Sequence, residues 1–171
     1  MTIYPTNSKD FEQMKQKAIN KIDNMPAGRA LDMLIETEVI GSVALTDSEW
    51  EICLGMIQYR DPYIGIPDNR MIKAPSLEPT EMKLSFRLVW PRVFSQSDFG
   101  NYSGWLVDLM RHNGWLYDLT DFETTENKII RVAGFTKNTL REEASAETDA
   151  HAICLAALKA VRALKALENT P

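Results

Sequence analysis

The run from Thr148 to Glu168 constrains this chain more than any other stretch. Ile153, Ala156, Ala157, Ala160, Leu164 and Leu167 recur at helical spacing and make one stripe. Thr148 is a natural cap. Acids (Glu142, Glu143, Glu147, Asp149) lie before or at the start, and Lys159, Arg162 and Lys165 lie toward the end, as the helix dipole favours. The alanine-rich face allows close approach to a sheet.

The strands are legible upstream. Met82 to Trp90 alternates, with Met82, Leu84, Phe86, Leu88 and Trp90 on one side and Lys83, Ser85, Arg87 and Val89 on the other. Pro91 ends that run. Trp115 to Leu119 and Lys128 to Phe135 flank the polar segment Thr120 to Asn127 and are expected to pair as an antiparallel hairpin. Lys137 to Glu147 reads as a polar connection. The segment Thr46 to Arg60 fits two patterns. Trp50, Ile52, Leu54 and Met56 alternate as a strand would. Trp50, Cys53, Leu54 and Ile57 fit a helix, and Thr46-Asp47-Ser48-Glu49 has capping-box spacing. Ile57, Tyr59 and Gly55 tilt the reading slightly to strand.

Three further helices are expected. Ser8 to Asn24 carries Phe11, Met14, Ala18, Ile19 and Ile22 on one stripe, with Lys and Glu opposite. A second helix begins at Met25-Pro26, with Pro at its first position. It buries Ala27, Ala30, Leu31, Leu34, Ile35 and Val39 and stops at Gly41. A third, capped by Ser95 or Ser97, runs to about Asn113 with Trp105, Leu106, Leu109 and Met110 inward, and Gly114 ends it. The fold class is therefore α+β: a largely antiparallel sheet of three to four strands packed with helices, as an α/β/α-type sandwich. Residues 1–171 read as a single domain, with an N-terminal helix at 8–24 and an inserted loop and strand region at 42–94.

Composition excludes several classes. Apolar residues make up 44% and charged residues 25% of 171, the balance of a globular domain and not of a disordered chain. Nineteen basic against twenty-four acidic residues leave −5, without the basic footprint of a double-stranded nucleic-acid binder. No apolar run reaches the ~20 residues needed to cross a bilayer, and Met1 to Asn24 lacks the apolar core of a secretory signal. Cys53 and Cys154 read as two reduced core thiols in a reducing compartment.

The search for chemistry yields little. Two His and two Cys give no zinc spacing, and no cofactor is expected. His151 and Cys154 sit one helical turn apart, yet an exposed His beside a core Cys is the simpler account. His112 suits a helix C-terminus. Gly100 and Gly104 suit the turn into a helix. Asp118, Asp121, Glu123 and Glu126 crowd one hairpin and would be the carboxylates of a small hydrolase, though a solvated turn explains them as well. The most suggestive set is Tyr59, Arg60, Tyr63, Arg70, Trp90 and Arg92, around a loop that Pro62, Pro67, Pro75 and Pro79 stiffen. Arg and aromatic side chains are favoured at binding surfaces because they bury area and fork hydrogen bonds to anions. The competing account is that Trp90 and the tyrosines anchor the loop to the sheet.

Two segments carry a family resemblance: Met25-Pro26-Ala27-Gly28-Arg29-Ala30-Leu31-Asp32, and Ala144-Ser145-Ala146-Glu147-Thr148-Asp149-Ala150 leading into Ala152 to Val161. With the helix after Phe94-Ser95, then Gly114-Trp115 and the hairpin, in that order, the chain resembles the phage ABA sandwich domain family. The resemblance covers about half the chain and rests on helix caps and packing faces. It implies a phage origin, a bacterial host cytoplasm and no catalytic residue. The expectation is a non-enzymatic accessory protein that binds a host protein or a small anionic, nucleotide-like ligand, with a counter-defence role. A homo-oligomer is compatible with it. The alternatives are a virion-assembly protein or the small hydrolase.

Overall fold

A computed structural model describes residues 22–63, 65, 70–75, 86–96 and 102–169. The helix expected at 8–24 lies outside these residues except for its last turn, as do residues 64, 66–69 and 76–79 of the expected loop and the first half of the strand expected at 82–90.

Helix α1 spans Arg29–Leu34 and runs without a break into a π-helical turn, Ile35–Ile40. Pro26 lies ahead of α1 and not at its first position, because Gly28 is the N-cap. Gly41 ends the π turn at φ 87°, a left-handed conformation that glycine adopts without steric cost. Strand β1 (Val43–Ala44) follows, then helix α2 (Asp47–Arg60), strands β2 (Ile72–Pro75) and β3 (Phe86–Val89), and helix α3 (Tyr102–His112). Strands β4 (Leu116–Glu123), β5 (Ile129–Lys137) and β6 (Leu140–Ala146) precede the last helix, α4 (Asp149–Glu168).

The α+β class holds, and the strands divide between two antiparallel three-stranded sheets, β1-β2-β3 and β4-β5-β6. The hairpin β4–β5 forms as expected, with Phe135 opposite Tyr117 and Ala133 opposite Leu119. Two element assignments fail. Thr46 to Arg60 is helix and not strand: the Thr46 hydroxyl accepts from the Glu49 N–H at 3.3 Å and the Glu49 carboxylate accepts from the Thr46 N–H at 2.9 Å. That reciprocal cap satisfies two otherwise orphaned groups, which the weak alternation could not match. Leu140 to Ala146 is strand β6 and not a connection. Its outer side chains are polar because only one face is covered, so the acidic composition hid an edge strand.

The core forms around α4. Ala152, Ala156, Ala157 and Ala160 are fully buried, together with Leu155 and Leu158. They lie against Ala133, Phe135 and Ala144 of the β4–β6 sheet and against Leu31, Ile35, Leu106 and Met110 of α1 and α3. Each large side chain fully buried there contributes about 1.5–3 kcal/mol. The polar residues of α4 act as clamps. His151 Nε2 meets the Met25 carbonyl at 2.8 Å, Lys159 holds Asp23 and the Glu143 carbonyl, and Arg162 grips Glu38 in a fork at 2.6 and 2.7 Å.

Among the described residues the opposite face of the β4–β6 sheet carries no helix. Across it Arg141 forks onto Asp118 at 2.9 and 3.0 Å. Gly134 lies beneath this pair, and a Cβ there would come within 2.9 Å of the Asp118 carboxylate.

Candidate functional site

The site begins with two carboxylates on one face of the first helix. Asp32 and Glu36 are four residues apart, and both are buried beside Leu31 and Ile35. A buried carboxylate must find donors, and these two find them in the segment after β3. Asp32 accepts from the Phe94 N–H at 2.9 Å and the Ser95 N–H at 2.8 Å. Glu36 accepts from the Arg92 N–H at 3.0 Å, from Nε at 2.8 Å and from Nη2 at 3.1 Å, and from the Ser42 hydroxyl at 2.7 Å. Ser95 is thus a buried partner of Asp32 and Gly28, and not the cap of α3.

Burial pushes the Glu36 carboxyl up, but the bonds from Arg92 and Ser42 outweigh it and hold the group below the ordinary glutamate value. The carboxylate stays charged. It fixes the Arg92 guanidinium, which stands 4.5 Å from the Trp105 ring centre and 5.5 Å from that of Phe94. Trp105 in turn stacks on Phe94 at 6.3 Å.

A cleft of about 320 Å³ opens beside this stack. Arg87, Val89, Trp90, Arg92, Tyr102 and Trp105 line it. Strand β3 and the segment after it supply one wall, and the first turns of α3 supply the other. Trp90 is braced from behind by Trp50 of α2, edge to face at 6.2 Å. Arg87 is exposed and has no ionic partner among the described residues. Glu36 takes two of the three guanidinium nitrogens of Arg92. The free positive charge at the cleft is therefore chiefly that of Arg87, while Arg92 serves as a rigid wall.

Of the six residues singled out from the sequence, the structure brings together Trp90 and Arg92. Tyr59 and Arg60 are exposed at the C-terminal end of α2, with Tyr63 just beyond it. Arg70 pairs with Asp47 at the other end of that helix, roughly 20 Å away for a 14-residue helix. A single ligand the size of this cleft does not touch both ends. Sequence reasoning missed Arg87, Tyr102, Trp105 and the two carboxylates. A signal was present, since Asp32 and Glu36 repeat at the same spacing as Leu31 and Ile35, which places them at the edge of a buried stripe.

Three of the four hairpin carboxylates are paired, Glu123 is exposed at the end of β4, and Gly100 lies outside the described residues. Asp118 is held below the usual carboxylate range by the Arg141 guanidinium, Asp121 pairs with Arg131, and Glu126 with Lys128. Among the described residues no three His, Cys, Asp or Glu side chains gather as metal ligands. Cys53 and Cys154 are both buried free thiols, and burial pushes the Cys154 thiol far up, away from a nucleophile's range. His151 is half-buried on the Met25 carbonyl, where an exposed position was expected. No described helix is long and apolar enough to cross a membrane. No protein-family model, curated protein or solved structure matches this chain, and the site is read from its own geometry.

Proposed function

We propose that this is a binding protein, without catalysis of its own, that takes a small planar anion of the nucleotide-like kind in the cleft between β3 and α3. One observation carries the reading: two arginines and three aromatic rings, Trp90, Tyr102 and Trp105, line a single cleft. Aromatic faces stack on a flat heterocycle, and a guanidinium forks onto phosphate or carboxylate oxygens. The volume falls near the lower end of the ~300–1,000 Å³ usual for small-molecule sites. The wall is also held rigid by the Glu36–Arg92 bonds, which lowers the ordering cost of binding.

The biological setting rests on the resemblance to the phage family alone. On that basis the protein acts as a phage accessory protein in the cytoplasm of a bacterial host, and sequestering a nucleotide-like host signal is its counter-defence role. A hydrolase at the hairpin is less well supported, because an acid catalyst needs a raised carboxyl value and the Asp118 value is lowered.

Calorimetric titration with a nucleoside monophosphate and with a cyclic dinucleotide tests the reading. At least one is expected to bind, and Arg87→Ala is expected to weaken it tenfold or more at an unchanged melting temperature. The double change Arg60→Ala with Arg70→Ala leaves binding intact. Silence with both probes, or full binding by Arg87→Ala, overturns the proposal.

A further inference from the structure

Helix α2 buries little of its apolar content. Cys53 is its one buried residue, with Trp50, Leu54 and Ile57 half-covered on the same side. On the other side Ile52 is 65% exposed, Met56 59%, Tyr59 90% and, just past the helix end, Tyr63 95%. Spacings of four and three residues put Ile52, Met56 and Tyr59 on one outward stripe, and Tyr63 follows beyond the Asp61 C-cap, where the chain has left the helix. An isolated exposed apolar residue needs no account, whereas a contiguous stripe marks a contact surface. Nothing in the cleft reading uses it.

The geometry points to a second copy of this chain, packed against the stripe helix to helix and antiparallel about a two-fold axis near Gly55. Four features favour that occupant. Gly55 lies at the middle of the stripe and is exposed, with open space where a Cβ would stand, so two helices can approach closely there. Ile52 and Tyr59 flank it at near-equal distances, so an antiparallel copy sets Ile52 of each against Tyr59 of the other. No charged residue occurs between Glu51 and Arg60. Asp47 and Glu49 at one end are paired with Arg70 and Lys73, and Arg60 at the other stands beside Asp61, so the ends add little charge and antiparallel packing is favoured by the opposed helix dipoles. Tyr59 and Tyr63 are the large contacts here, since a buried aromatic ring covers roughly 150–250 Å². Such a contact is self-complementary and closes on itself, as a two-fold interface must.

Sedimentation of the full chain is expected to show a dimer, and Ile52→Asp with Tyr59→Ser is expected to raise its dissociation constant about thirtyfold or more without lowering the melting temperature. Single cysteines report orientation, since both native thiols are buried. Gly55→Cys sits at the axis and is expected to cross-link to itself on oxidation. Ser48→Cys is not, because antiparallel packing holds its two copies about 20 Å apart, beyond disulfide reach. A monomeric wild type assigns the stripe to a different protein or to another part of this chain, and overturns the proposal. So do a dimer that survives Ile52→Asp with Tyr59→Ser, and Ser48→Cys cross-linking as readily as Gly55→Cys.

Discussion

The two ends of this molecule solve the same problem at different densities. Around α4, eleven successive residues from Ala150 to Ala160 are buried except the half-buried His151, and small side chains let sheet and helices meet closely. Around α2 and the β1–β3 sheet, the buried apolar residues among those described are Leu45, Cys53, Ile72 and Ala74, while Val43, Phe86, Leu88 and the outer stripe of α2 face solvent. The dense end spends its apolar residues on folding. The thin end leaves them at the surface, and both the cleft and the outward stripe belong to it or to its border. Binding surfaces must keep apolar area in water until a partner arrives, so function is expected where the core is thin.

The largest test strikes the dense end. Ala157→Asp places a charge on a fully buried face without a partner, at a cost of several kcal/mol. Loss of soluble, cooperatively melting protein is expected. A near-normal melt would make the two ends equivalent.

Next is the border between them. Glu36→Ala strips the acceptor from Arg92, whose side chain is 15% exposed, and breaking such a pair costs about 3 kcal/mol. Chemical denaturation measures the cost, and ligand titration of the same variant is expected to show a loosened cleft. The same group sets a pH dependence. The folded values of Glu36 and Glu38 lie below the ordinary value of about 4.3. Their contribution is fully present above that value and is lost as pH falls through the lower folded values. Denaturation midpoints measured below about pH 4 should therefore fall for the wild type and fall less steeply for Glu36→Ala.

The smallest test applies one substitution at both ends. Cys154→Ala removes a fully buried sulfur inside the dense core and is expected to cost roughly 1–2 kcal/mol. Cys53 is buried outside the main core cluster, where neighbours relax more easily, and Cys53→Ala is expected to cost less than about 1 kcal/mol. Equal costs would erase the difference in packing. Metal analysis of the double variant is expected to match the wild type.

Sequence legibility follows the same division. The cap at Thr148, the stop at Gly41 and the β4–β5 hairpin were readable, because each is set by neighbours in the chain; the α4 stripe was read in part, since Leu167 is exposed while Leu155 and Leu158, outside the expected stripe, are fully buried. Strand β6 was hidden, since Arg141, Glu142, Glu143 and Ser145 look like a polar connection until the β5 ladder is there to pair with them. Helix α2 was ambiguous because it is apolar on two sides, so helical and strand periods fit alike. Its reciprocal Thr46–Glu49 cap was the deciding local clue.

The candidate site was half legible. Trp90 and Arg92 stood out by residue type, whereas Tyr102 and Trp105 come from a segment that no local rule joins to theirs. By itself the sequence determined the last helix with its Thr148 cap, the stop at Gly41 and the β4–β5 hairpin, because capping and periodicity act over a few residues. Only the tertiary structure decided that Asp32 and Glu36 reach across to Phe94 and Arg92, 62 and 56 residues away. A buried carboxylate takes whichever donors packing brings to it, and the sequence does not state that distance.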